Sequence, residues 1–190
     1  MSRIDNILSF WFKDSTGATE TNRKVWFIKN PEFDRAIELH FLEDYQQAAD
    51  GKLDHWQETA EGCLALTLVL DQFPRNMFRG QPQSFATDAK ALAIAQHAIH
   101  HGFDQTLPLI QRWFIYMPFM HSENLETQRH SVELFRQLAD NPETQSCYPY
   151  AIKHLEVIER FRRFPHRNAI LGRESTLEEI EFLKQPGSSF

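Results

Sequence analysis

Helix openings and stops punctuate the whole chain, and no segment between them alternates apolar and polar residues in the manner of a strand. Asn30-Pro31-Glu32 combines a capping side chain, a first-turn proline and an acidic residue, and apolar residues follow at helical spacing (Phe33, Ile37, Phe41, Tyr45, Ala48) up to Gly51. Asn141-Pro142-Glu143 repeats the opening. Thr87-Asp88 reads as the cap of an alanine-rich run ended by Gly102, and Ser175-Thr176-Leu177-Glu178 reads as a capping box. These signals predict an all-α chain of about nine antiparallel helices. The expected spans are Ile4–Lys13, Asn22–Lys29, Pro31–Asp50, Asp54–Phe73, Asp88–His101, Leu107–Met117, Leu125–Ala139, Pro149–Phe164 and Leu177–Lys184. The connections are short, which favours antiparallel neighbours.

With 190 residues the chain fits one domain, 1–190, and 16 Phe, 4 Trp and 4 Tyr supply a core without disulfides. Cys63 reads as a small core hydrophobe, and Cys147 has no basic neighbour to activate it. A net charge of −6 argues against a nucleic-acid partner. The apolar runs around Leu64–Leu70 and Trp113–Met120 fall short of the ~20 residues that cross a membrane. The N-terminus shows no signal-peptide pattern, so a cytoplasmic protein with no membrane partner is expected. Phe10-Trp11-Phe12 and Trp26-Phe27 read as a seam joining the first helices to the core, with a hydrophobic ligand groove or an oligomer interface as the sharper alternatives.

Three helices run into a proline flanked by polar residues, at Pro74, Pro118 and Pro165, about 45 residues apart. A proline lacks the amide a helix needs, so each helix is expected to stop there. On this map they are the fourth, sixth and eighth helices. Strict up-and-down alternation then brings their C-terminal ends to one rim. Arg75, Arg79, Arg163, Arg167 and Arg173 are expected to supply positive charge to a cleft there, with Asp71, Asn76 and Asn168 completing the ligand contacts. His121, Glu123 and His166 are the candidate proton-transfer groups. The segment Ala151–Arg173 carries a surplus of four positive charges, followed by a surplus of three negative charges over Glu174–Lys184.

Each of these residues also has a structural reading: arginines cap exposed carbonyls at helix ends, and histidines hydrogen-bond in cores, as expected for His154 on the stripe Ala151, Leu155, Ile158. His97, His100 and His101 have metal-ligand spacing but no adjacent carboxylate or thiol, so neither metal nor cofactor is expected. No nucleotide-binding or nucleophile motif is present.

Leu70–Asn76 with Phe78, Arg79 and Gly80, then Tyr116, Pro118 and His121–Glu123, then Arg163–Asn168 with Leu171–Arg173 make long, specific motifs. At these residues the chain resembles an uncharacterised, mainly bacterial domain-of-unknown-function family. Its members read L-D-Q-F-P-R-N-x-F-R-G, Y-x-P-x-x-H-S-E and R-F-P-H-R-N-x-x-L-G-R. The resemblance extends over nearly the whole chain, including Ile7–Phe12, and departs at Arg162, where a glycine is expected. It implies a tetratricopeptide-like α–α superhelix and no established activity. The leading expectation is a small anionic ligand in the rim cleft. The alternative is a helical-repeat scaffold for a peptide or protein partner, with the motifs serving packing and capping.

Overall fold

The computed structural model describes residues 1–12 and 26–189, and among them it forms helices and turns but no strand. The helices are α1 (Arg3–Phe12), α2 (Pro31–Ala49), α3 (Ala60–Thr67, continuing through Leu68–Gln72 into Phe73–Met77), α4 (Asp88–His100) and the short α5 (Phe103–Thr106). They are followed by α6 (Leu109–Met120), α7 (Leu125–Arg136), α8 (Cys147–Phe161) and α9 (Leu177–Leu183). The first half of the expected helix Asn22–Lys29 lies outside the described residues, and its described half, residues 26–29, is not α-helical, a correction to that expectation. Chain neighbours pack on one another: α2 on α3, α3 on α4, α4 on α6, α6 on α7 and α7 on α8.

The core is organised around α3, whose Cys63–Leu66 and Leu68–Leu70 have no exposed surface at all. A helix apolar on every side must be surrounded, and α1, α2, α4 and α6 surround this one. The aromatic seam is present. Trp11 stacks on Trp26 with ring centres 6.1 Å apart and meets Phe73 and Phe114 at 5.6 Å, while Trp26 Nε1 donates to the Trp11 carbonyl.

Several local expectations hold. Asn30 Oδ1 accepts from the amides of Glu32 and Phe33, both at 3.1 Å, and Gly102 takes the left-handed conformation just beyond α4. Others shift. The capping box belongs to Thr176 and Glu179, one residue later than expected, which frees Ser175 to accept from Asn168. Asn141 opens only a turn, and α8 begins at Cys147.

The proline expectation is overturned twice. Pro118 lies inside α6, which runs on to Met120, and α3 continues past Pro74 to Met77. The reason is visible at Pro74. A proline there leaves the Leu70 carbonyl without its helical donor, and the chain widens into a π-helical turn over Leu68–Gln72. The Thr87 hydroxyl then donates to the Leu70 carbonyl at 2.6 Å, and Arg75 Nη1 donates to the Asp71 carbonyl at 2.6 Å. Thr87 is therefore a brace for the widened turn, and its side chain does not cap α4. Only the third break behaves as expected: α8 ends at Phe161, and Arg162 takes a left-handed φ of 60°. That conformation costs an L-residue about 1–2 kcal/mol relative to glycine.

Candidate functional site

The π-helical turn aims Asp71 at the end of α6. Its carboxylate is completely buried, and His121, the residue that closes α6, places Nδ1 2.7 Å from Oδ1. Gln72 Nε2 donates to Oδ2 at 2.6 Å, and Arg75 lies 3.3 Å from Oδ1, one helical turn on. Burial opposes the charge on Asp71, but Arg75, His121 and Gln72 outweigh it, so the carboxyl stays ionised well below the usual range. His121 is driven the other way, chiefly by burial and then by the Arg75 charge, and stays neutral. An ionised Asp71 can only accept, so the proton of the neutral ring sits on Nδ1 and the Nε2 lone pair is available as a base.

The third motif meets the same place. Arg167 is buried with its guanidinium between the rings of Phe85 and Phe164, 4.5 and 4.6 Å from their centres. Its Nη2 donates to the His121 carbonyl at 3.1 Å and its Nη1 to Asp88 Oδ2 at 3.1 Å. Arg75 grips the same Asp88 with both terminal nitrogens, at 2.9 and 3.0 Å. Burial and the neighbouring Arg75 charge lower the Arg167 pKa to about 10, which leaves it a cation near neutrality.

Beside this group Arg173 holds Glu123 through two bonds of 2.7 and 2.9 Å, and Glu123 Oε1 also accepts the Phe164 amide at 2.7 Å. Burial works against the Glu123 charge, but these bonds prevail and hold its pKa below normal. Both oxygens are committed, so Glu123 ties the loop after α6 to the turn after α8 and is poorly suited to carry a proton at neutral pH.

The remaining expected site residues are placed elsewhere. Asn76 and Arg79 both turn to Asp34 on α2: Asn76 Nδ2 at 2.7 Å, Arg79 Nε at 2.6 Å. Arg163 and Asn168 bond to Glu179, which is how α9 docks. Arg160 pairs with Glu178 in the same seam, so the acidic tail segment neutralises much of the basic patch before it. Three residues of the site had no functional signal in the sequence. Asp88 was legible only as a cap, Gln72 stood within the first motif with no role of its own, and nothing in the sequence pointed to Phe85.

Both thiols stay protonated near neutrality: burial pushes Cys63 up to about 11 and Cys147 to about 12. His97 and His101 lie side by side with ring centres 4.1 Å apart and planes tilted by 34°, and His97 Nε2 sits 3.1 Å from the Gln57 carbonyl. Among the described residues no group of three His, Cys, Asp or Glu is placed to hold a metal, and no helix is long and apolar enough to cross a membrane.

Three imidazoles therefore sit beside the arginines. His154 lies at about 3, mainly from burial, with the His121, Arg167 and His166 rings and charges adding to it. His166 lies at about 4, from burial and then Arg167 and Arg75. The unfolded chain protonates these rings near pH 6.5, whereas the folded chain does not until far lower. Stability is then complete above about pH 6.5 and declines as pH falls toward 4, since the unfolded state binds more protons in that window. Urea midpoints between pH 7.5 and 4.5 should show this slope, and His154→Gln should reduce it while His121 and His166 keep the remainder. A midpoint unchanged across the range would contradict the neutral cluster.

The chain matches the model for a bacterial protein family of unknown function, DUF924, over residues 7–187. No protein with curated annotation matches it. Among solved structures it is similar to a protein of unknown function, ATU0120, from Agrobacterium tumefaciens, with 39% identity and a TM-score of 0.85 over 95% of this chain and 96% of that one. Both matches run nearly end to end, the family match takes in all the elements that build the rim, and the chain accordingly belongs to the DUF924 family.

Proposed function

We propose that the rim formed by the ends of α3, α6 and α8 binds a small molecule bearing an anionic or strongly polar group, and that His121, oriented by Asp71, exchanges a proton with it. One observation carries this reading: a fully buried carboxylate grips one nitrogen of an imidazole 50 residues away, across two helices. Buried charge pairs seldom stabilise a fold better than apolar residues would, and a polar pair at a helix irregularity is a common functional arrangement. Arg75 and Arg167 supply the positive charge, and His166 is a second imidazole at the same edge. A cytoplasmic location for the chain is part of this proposal.

The test is a thermal-shift screen of the intact chain against phosphates, carboxylates and nucleotides. A ligand present at 100 times its Kd adds about 2.7 kcal/mol, which for a chain of this size raises Tm by about 5–10 °C. His121→Asn retains an amide donor toward Asp71 without a basic nitrogen, so it should keep binding and lose turnover. A flat response to every class would remove the proposal.

A scaffold role has its own observation: a groove of about 670 Å³ along α2, lined by Pro31, Leu39, Leu42 and Met77 with Asp34 and Glu38. That reading gains if peptides bind and Leu39→Glu abolishes their binding while small molecules have no effect.

A further inference from the structure

Among the described residues, Asp88 is the carboxylate that two arginines share within the rim. The frame and the occupant are held very differently. Arg75 is fixed without Asp88, by the Asp71 carbonyl and carboxylate. Arg167 is fixed by the His121 carbonyl and by the two flanking phenylalanine rings. Among the described residues Asp88 makes side-chain bonds to the two guanidinium groups alone, and its side chain keeps 20% of its surface exposed, as Arg75 keeps 19%, while Arg167 keeps 8%. A pair of cations, each held by other partners, thus shares one carboxylate that reaches solvent together with Arg75.

From this we infer that Arg75 and Arg167 are a carboxylate clamp whose resting occupant is the chain's own Asp88, and that the ligand's carboxylate takes the place of that side chain. The inference rests on the ligand-site reading above and names the ligand's chemical class. Geometry favours a carboxylate: the two terminal nitrogens of Arg75 meet the two oxygens of one planar group, and Arg167 adds a third contact. Charge agrees. Two guanidinium groups beside one ionised Asp71 leave room for a single negative charge, which a monocarboxylate supplies and a phosphate dianion exceeds.

An internal competitor lowers apparent affinity by the fraction of time the clamp stands open. If Asp88 leaves it less than a tenth of the time, Asp88→Asn, which keeps size and removes charge, raises acetate affinity by about tenfold or more. Calorimetric titration of the full chain with acetate, with phosphate and chloride at equal ionic strength as comparisons, reads this directly. The gain should be specific to acetate and should vanish in Asp88→Asn/Arg75→Lys. A folded Asp88→Asn that binds acetate no better than the parent overturns the clamp. If the parent still responds to another ligand through His121 and Arg167, the ligand site itself survives that result. If neither protein responds to anything, both fall. Should Asp88→Asn fold poorly, Asp88→Ser keeps a side chain suited to a helix start. Acetate should then restore its Tm saturably, and no restoration counts against the clamp.

Discussion

Asp71→Ala lowers the stability of this chain by about 3–5 kcal/mol, the loss usual when one member of a buried charge pair is deleted. The variant strands three donors at once: Arg75, the His121 ring and the Gln72 amide all lose an acceptor that no water can easily replace. It also removes the charge that offsets Arg75, leaving two close guanidinium groups with Asp88 alone between them. Urea unfolding followed by circular dichroism checks the size, and an unchanged m-value shows that the unfolded state is not responsible. Asp71→Asn separates charge from shape: it fills the same space and still presents one acceptor oxygen. A loss below about 1 kcal/mol in Asp71→Ala would mean that the pair is far more hydrated than its burial indicates.

Arg167→Ala is the second large effect, about 2–3 kcal/mol, below the range usual for a buried pair because Asp88 keeps Arg75. The removed guanidinium also separates Phe85 from Phe164, so part of the loss is packing and cation–π attraction. For a chain of this length the change corresponds to a Tm lowered by about 5–10 °C. Arg167→Lys decides between charge and shape. Lysine restores the cation but not the planar fork that bridges Asp88 and the His121 carbonyl, nor the stacked face. Recovery in the lysine variant to within about 0.5 kcal/mol of the parent would reduce Arg167 to a simple point charge.

The all-α class, the Asn30 cap, the Gly102 stop and the meeting of three proline-marked motifs were legible because each depends on local chemistry or on chain reversal alone. What sequence could not order was rotation about each helix. Asp71 and Arg75 are four apart and share a face, whereas Asn76 sits round the helix and Arg79 lies in the turn beyond it, and both reach Asp34. Treating the motif as one block hid that division. Arg163 and Arg167 are likewise parted by the turn after Arg162, one to Glu179 and the other to Asp88. Asp88 was missed for another reason. A Thr-Asp pair before an alanine run is an ordinary helix start, and nothing local says that its carboxylate faces an arginine 79 residues later.

That long span has a bearing on how the protein reaches its native state. The bonds from Asp71 to His121, from Glu123 to Arg173 and from Asp88 to Arg167 bridge 50, 50 and 79 residues. Each must wait for several helices to collapse, because closing such loops costs entropy that no nearby contact returns. The rim is therefore a late-forming clasp, and a nascent chain halted before Arg167 can hold its inner helices and the Asp71–His121 bond while lacking the Arg167 and Arg173 side chains that close the rest.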